Sequence, residues 1–236
     1  EYAQRLKEIF VKGFREHDGE VLKIINLPSG ATDVSVIVSQ IKALQPQGVY
    51  VVGYDEPIVR LLGEIKNQDV LDDKGKPIKL LSCGAFDSNY VYDNACDVAE
   101  NVIFPRVAFT CETEGTDVKK FCDAFTAKYG HEPDIFAAHG YDALNLLVNT
   151  IETQGGLYPE EMPQVLATTV AWSGVSGSVA FDQNGDVTTK FPKIYLVKQC
   201  KAVSFDDLME KLENEERKEK QDLSREIEER RKDLGK

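Results

Sequence analysis

The sequence predicts an α/β fold built on a parallel sheet, and three observations carry that prediction. Residues 20–83 read strand, helix, strand, helix, strand, the order of a doubly wound unit. The run GVYVVGY at residues 48–54 is apolar without interruption, as expected of a strand buried on both faces. Between the strands, apolar residues recur at helical spacing.

Leu6, Ile9, Phe10 and Phe14 set one face of an opening helix, which His17, Asp18 and Gly19 stop. EVLKIINL, rich in β-branched residues, follows as a strand, with a turn at Pro28-Ser29-Gly30. Asp33 is placed to cap a helix carrying Val34, Ile37, Val38, Ile41 and Leu44 on one side, and Pro46 ends it. After the 48–54 strand, a helix over 57–67 turns Ile58, Leu61, Leu62 and Ile65 inward. IKLLSC is the next strand. A polar loop with Tyr90 and Tyr92, a short helical piece at 95–99 and the strand NVIFP come after it.

A helix over 117–129 buries Val118, Phe121, Phe125 and Tyr129, and a break at 129–133 leads to a long, mostly apolar helix over 135–151. Gly155-Gly156 ends that helix, and a shorter one spans 159–168. Strands at 178–181 and 188–197 are joined by DQNGD, whose Asn-Gly step favours a tight turn. That loop lacks the twelfth-position glutamate of an EF-hand, so it reads as a turn and not a calcium site. Beyond Val203 the composition shifts: residues 204–236 carry nine basic and twelve acidic side chains and no proline. Pairs such as Glu216–Lys220 and Glu226–Arg230 favour a solvated helix. Phe205, Leu208 and Leu212 begin a heptad-like stripe that Glu215 and Glu219 break.

With 28 basic and 40 acidic residues the net charge is −12, which repels phosphate backbones and argues against nucleic acid as a partner. No apolar run approaches eighteen residues, so no membrane span is read, and residues 1–19 form an amphipathic helix pattern and not a leader peptide. The five cysteines include no pair at the two-residue gap of a zinc or redox motif. Their odd number leaves at least one unpaired; a local Cys111–Cys122 bridge fits an oxidising compartment, and buried free thiols are expected for most of the five. The histidines are scattered, and no nucleophile elbow, H-E-x-x-H, P-loop or G-x-G-x-x-G is present. No enzyme activity, metal or cofactor is therefore expected.

Three segments carry a family resemblance in their order: DVSVIVSQIKALQPQGVYVVGY at 33–54, HEPDIFAAHGYDALNLLVNTI at 131–151 and GVSGSVAFDQNGD at 174–186. Together they resemble the type I periplasmic solute-binding proteins, the group that includes the leucine/isoleucine/valine-binding proteins of ABC transporters. The resemblance runs over residues 1–203. It implies two α/β lobes joined by crossover strands, with a small ligand held in the cleft between them and captured by hinge closure. Mapped by order, 1–104 resembles an incomplete second lobe with a Rossmann-like parallel sheet. Residues 105–169 resemble the late helices of the first lobe, 170–203 a crossover hairpin and strand returning to the second, and 204–236 a charged helical tail. The first lobe's sheet has no counterpart. Either these residues belong to a longer binding protein or another chain supplies the rest. In isolation they are expected to leave the apolar face of the 135–151 helix exposed and to give no ligand-induced thermal shift.

What the resemblance implies is an extracytoplasmic, periplasmic or extracellular, solute-binding protein of an ABC importer. Its expected partners are a branched-chain-type amino acid or similar small carboxylate, a permease, and a second copy through the exposed helices or the tail. The alternative is the ligand-sensing module of a membrane receptor with a helical stalk. Two places should meet the ligand. Tyr54 stands at the carboxyl end of the 48–54 strand, followed by Asp55 and Glu56, and ligands of open α/β sheets sit outside such ends. The resemblance places a tyrosine here beside a ligand ammonium. In the loop after IKLLSC, relatives that bind α-amino acids often carry an acid to pair with that ammonium. Here Gly84-Ala85-Phe86 occupies the place and Asp87 comes one step later. Either Asp87 takes the role, or the ligand lacks an ammonium and Phe86 lines an apolar wall. Tyr141, near the hinge with His139, is the fifth candidate contact, while Asp142 reads as a capping or hinge-bonding residue.

Overall fold

The computed structural model describes residues 2–27, 30, 32–112 and 116–234; the side chains of residues 55, 219 and 222–234 fall outside that set, as do Pro28 and Ser29 of the first expected turn. Five strands, β1 (Gly48–Val51), β2 (Lys79–Ser82), β3 (Ile103–Arg106), β6 (Lys193–Lys198) and β7 (Lys201–Ser204), form one sheet in the order β1-β2-β3-β6-β7. β1, β2 and β3 run parallel, while β6 is antiparallel to β3 and to β7. The crossovers are helical: α3 (Asp55–Asn67) joins β1 to β2, and a 3₁₀ turn (Gly84–Phe86) with α4 (Asn89–Asn94) and α5 (Cys96–Ala99) joins β2 to β3. α1 (Tyr2–Glu16) and α2 (Ser35–Leu44) precede the sheet. α3 buries the four residues that its periodicity selects, Ile58, Leu61, Leu62 and Ile65, against a core shared with Val38, Ile41, Leu80, Phe86, Phe104 and Val197.

Five expectations about the strands, a cap and a helix end need correction. Residues 20–27 enter no ladder; Ile25 and Leu27 pack at the border of the main core while Leu22 and Ile24 are exposed. β-branched composition supplies the packing there, but a strand also needs a partner edge. β1 is the sheet's border among the described residues, so of its four residues only Val51 is fully buried. Asp33 lies one residue before the cap position and its Oδ1 accepts the Ser35 N–H at 2.8 Å, an Asx turn that leads into α2. Tyr129 ends α6 (Asp117–Tyr129) exposed and packed on Phe125 instead of buried. The 188–197 strand is split: Val187 bridges Phe181 in the hairpin, while β6 leaves to pair with β3 and β7.

A second, smaller core lies between α6 and α7 (Ile135–Gln154), around Phe121, Cys122, Ala138 and Val175. Thr116 and Asp134 cap these helices through their side-chain oxygens, and Gly130 and Gly155 close them in the left-handed conformation. α7 buries Ile135, Ala138, Asp142, Leu146 and Thr150 on one face. Its other face leaves Phe136, Tyr141, Leu144, Leu147 and Val148 exposed, the apolar surface that the sequence leads one to expect. α8 (Met162–Ala167) follows, then a hairpin of β4 (Trp172–Gly174) and β5 (Gly177–Val179).

Asp142 ties α7 to that hairpin. Its Oδ1 accepts the Val175 N–H at 2.8 Å, and its Oδ2 accepts the Ser176 N–H at 2.8 Å and the Ser176 hydroxyl. A Cβ on Gly174 would overlap this carboxylate. The YDAL step and the GVSG turn are thus two halves of one contact. Gly174→Ala is expected to cost about 1–3 kcal/mol by overpacking, read as a lower urea midpoint at unchanged slope; a neutral result would show that the carboxylate gives way freely.

Four cysteines are paired, Cys96 with Cys200 and Cys111 with Cys122, leaving Cys83 as a buried free thiol. The expectation of mostly free thiols is overturned. Spacing in sequence concealed the long-range pair, because α5 and the β6–β7 turn meet only through the sheet. α9 (Phe205–Leu234) starts where the Ser204 hydroxyl accepts the Asp207 N–H at 3.4 Å, and on its solvated surface Glu216 lies 3.7 Å from Lys220. The Glu226–Arg230 pair lies outside the described side chains.

Candidate functional site

The carboxyl ends of β1 and β2 open side by side, because four registered pairs from Gly48–Lys79 to Val51–Ser82 fix the two strands level. The Ser82 hydroxyl donates to the Val51 carbonyl at 3.0 Å across that end. Beyond it the chain turns into α3 at Tyr54 and into the 3₁₀ turn at Gly84.

Tyr54 is extended at the N-cap of α3 and 59% exposed. Its ring stacks on Tyr2 of α1, centroids 5.4 Å apart. Tyr2 also reaches Cys83 at the end of β2: burial, then the neighbouring thiol, pushes the Tyr2 hydroxyl's pKa up. Tyr50, packed on Phe10 of α1 at 4.1 Å, is pushed up to about 12 by burial and by the same thiol. These hydroxyls therefore stay protonated at neutral pH.

Asp87 is buried and already partnered. Arg106, at the end of β3, brings its Nε to 3.1 Å from Asp87 Oδ2, and the Tyr92 hydroxyl donates to Oδ1 at 2.8 Å. The Arg106 Nε contact is an ion pair without hydrogen-bond geometry, while Nη2 donates to the Phe109 carbonyl at 3.3 Å. Burial raises the Asp87 pKa, with Arg106 and Tyr92 pulling the other way. Burial likewise raises Tyr92, reinforced by the Asp87 carboxylate.

Phe86 is 1% exposed and meets Phe104 at 5.5 Å, so its ring belongs to the main core and not to a cleft wall. Asp55 begins α3. Tyr141 is half-exposed on α7, where its ring packs on Phe121 at 4.7 Å in the second core. The structure thus gathers Tyr54, Asp55 and Asp87 at one end of the sheet and places Tyr141 on a different element. Tyr2, Cys83, Tyr92 and Arg106 were not foreseen. Arg106 left one signal, a cation just past an apolar strand. Among the described residues no cluster of three His, Cys, Asp or Glu side chains could hold a metal, and no helix is long and apolar enough to cross a membrane.

The level ends of two parallel strands thus carry an exposed tyrosine beside a loop whose acid is buried and paired. Residues 1–199 match the family model described as periplasmic binding protein. The chain belongs to the periplasmic binding protein family. Members are solute-binding proteins, not enzymes, and they are periplasmic or extracellular. A leucine-, isoleucine-, valine-, threonine- and alanine-binding protein of Pseudomonas aeruginosa is 26% identical over 163 residues, 68% of this chain and 41% of that protein. Among solved structures, a leucine-binding protein of Thermotoga maritima superposes with a TM-score of 0.72 at 26% identity, over 86% of this chain and 57% of that one. A branched-chain amino acid transporter substrate-binding protein of Streptococcus pneumoniae in complex with isoleucine gives 0.66 at 26% identity, over 82% and 54%. This periplasmic binding protein chain therefore spans about half the length of the relatives it matches, and its fold is theirs, the type I α/β architecture.

Proposed function

We propose that the chain forms the greater part of the second lobe of a solute-binding protein that serves an ABC importer outside the cytoplasm. On this reading residues 1–104 are the lobe's body, 105–169 the late helices of the first lobe, 170–203 the crossover back and 204–236 a solvated tail. The solute is a small carboxylate of the branched-chain amino acid type, held in the interlobe cleft against Tyr54, Asp55 and the 84–87 loop. The observation that carries the reading is the junction of Tyr54 and that loop at one end of a parallel sheet, in a chain 26% identical to leucine- and isoleucine-binding proteins. Two disulfides suit an oxidising compartment. Function then consists of capture and hinge closure, with delivery to a permease, and no bond chemistry.

The test is a thermal-shift and calorimetric screen of the protein, in the longest form in which it is expressed, against amino acids and small organic acids. A ligand at one hundred times its Kd stabilises by about 2.7 kcal/mol, which for a chain of this size raises Tm by roughly 5–10 °C. Silence across the whole panel from a protein that carries both lobes would overturn the reading.

A further inference from the structure

Residues 187–192 connect the hairpin to β6 and so tie the α6–α7–hairpin unit to the sheet. Their hold on that unit is specific. The Thr188 N–H donates to the Ala180 carbonyl at 2.9 Å, and the Thr189 hydroxyl donates to the Ser178 carbonyl. Lys190 then reaches inward. Its Nζ donates to the Ser176 hydroxyl oxygen, whose own proton goes to Asp142. Past it Phe191 is 77% exposed, and Lys193 already pairs with Arg106 in the sheet. Lys190 thus fastens the connection to α7 just before the chain leaves for β6.

His139 lies on α7 three residues before Asp142, half-buried, and its Nε2 is enclosed without a hydrogen-bond partner among the described residues. Among those residues the charged groups that act on it are Lys190, from the connection, and Asp142, from its own helix. Burial and then Lys190 hold its pKa below the ordinary histidine value, and Asp142 pulls the other way less strongly. A proton on this ring makes both nitrogens donors. The enclosed Nε2 then carries a hydrogen with no acceptor, and a second cation stands near Lys190.

We infer that His139, Asp142, Ser176 and Lys190 form a proton-operated catch on the connection between the α6–α7–hairpin unit and the sheet. With His139 neutral, Asp142 and Ser176 hold Lys190, and residues 187–192 stay fastened. With His139 protonated, Lys190 is driven off Ser176 and the connection loosens. Because the folded protein disfavours that proton, the catch is complete above about pH 6.5, the ordinary histidine value, and weakens as the pH falls below it. On the solute-binding reading this connection is one of the crossovers about which the halves close, so acid favours release of the solute.

The experiment is amide hydrogen exchange, corrected for the intrinsic rate at each pH, on the protein in its longest expressed form at about pH 7.5 and about pH 5. Val175, Ser176 and Thr188 are expected to lose protection in acid while Leu62 and Ile65 in the main core keep theirs. His139→Gln, which cannot take the proton, should keep its protection at both pH values. Lys190→Gln, which retains a donor for Ser176 without the charge, should lose less than the parent. No acid loss in the parent, a loss shared equally by Leu62 and Ile65, or the same loss in His139→Gln would each overturn the inference. Should His139→Gln not fold, Lys190→Gln decides, and a loss equal to the parent's overturns it. None of these outcomes bears on the solute-binding reading, which the ligand panel tests separately.

Discussion

Replacing Asp142 with alanine is expected to destabilise the α7–hairpin unit by about 3–5 kcal/mol, through loss of acceptors for two buried amides and a hydroxyl. The carboxylate is 4% exposed, so water does not readily take its place. Its removal also leaves Lys190, whose Nζ donates to the Ser176 hydroxyl oxygen, without the nearby negative charge that helps keep it protonated against burial. Asparagine does not repair the site, because its amide would point a donor at the donors of residue 175 or 176. Val175 and Ser176 should lose hydrogen-exchange protection first, while Leu62 and Ile65 in the main core keep theirs. A loss below about 1 kcal/mol, or equal deprotection of both cores, would show that Asp142 is not what holds the hairpin to α7.

How much of this was legible in the sequence follows from the range of each interaction. Periodicity is local, and it located α3, α6 and α7 and named Ile58, Leu61, Leu62 and Ile65 as buried. Strands were harder, because a strand exists only with its partner. Residues 20–27 have the composition and no ladder, while β4, three residues long, is too short to leave a pattern of its own. Of the site, Tyr54 was readable as the residue where an apolar strand ends. Its stacking on Tyr2 was not, since 52 positions separate them in the chain. The role of Asp87 depended on Arg106, nineteen residues later and on the next strand, so the choice between an acid that meets a ligand and one already paired lay beyond the sequence. The DQNGD turn was the opposite case. Asp182 accepts the Asn184 and Asp186 amides at 2.8 and 2.9 Å, and all of its determinants lie within five residues.

Of the two disulfides, Cys96–Cys200 should matter more. It closes a sequence separation of 104 residues, against 11 for Cys111–Cys122. In the chain-entropy model the longer loop restricts the unfolded chain by about 4–5 kcal/mol and the shorter by about 3. Cys96–Cys200 fastens α5 to the β6–β7 turn, where Gln199 and Cys200 both take positive φ and the Gln199 N–H donates to Glu100 at 2.9 Å. Cutting the bridge frees a turn whose backbone is strained for non-glycine residues, so the native state loosens as well. Cys96→Ala/Cys200→Ala is therefore expected to lower Tm by roughly 10–15 °C, and Cys111→Ala/Cys122→Ala by less. Thermal unfolding followed by circular dichroism, with thiol counting in denaturant to confirm one free cysteine in the parent, reads both effects. If the short-loop variant lost as much as the long-loop one, unfolded-chain restriction would not be the source of the stabilisation. If the parent showed five free thiols after isolation under non-reducing conditions, the pairing itself would be wrong.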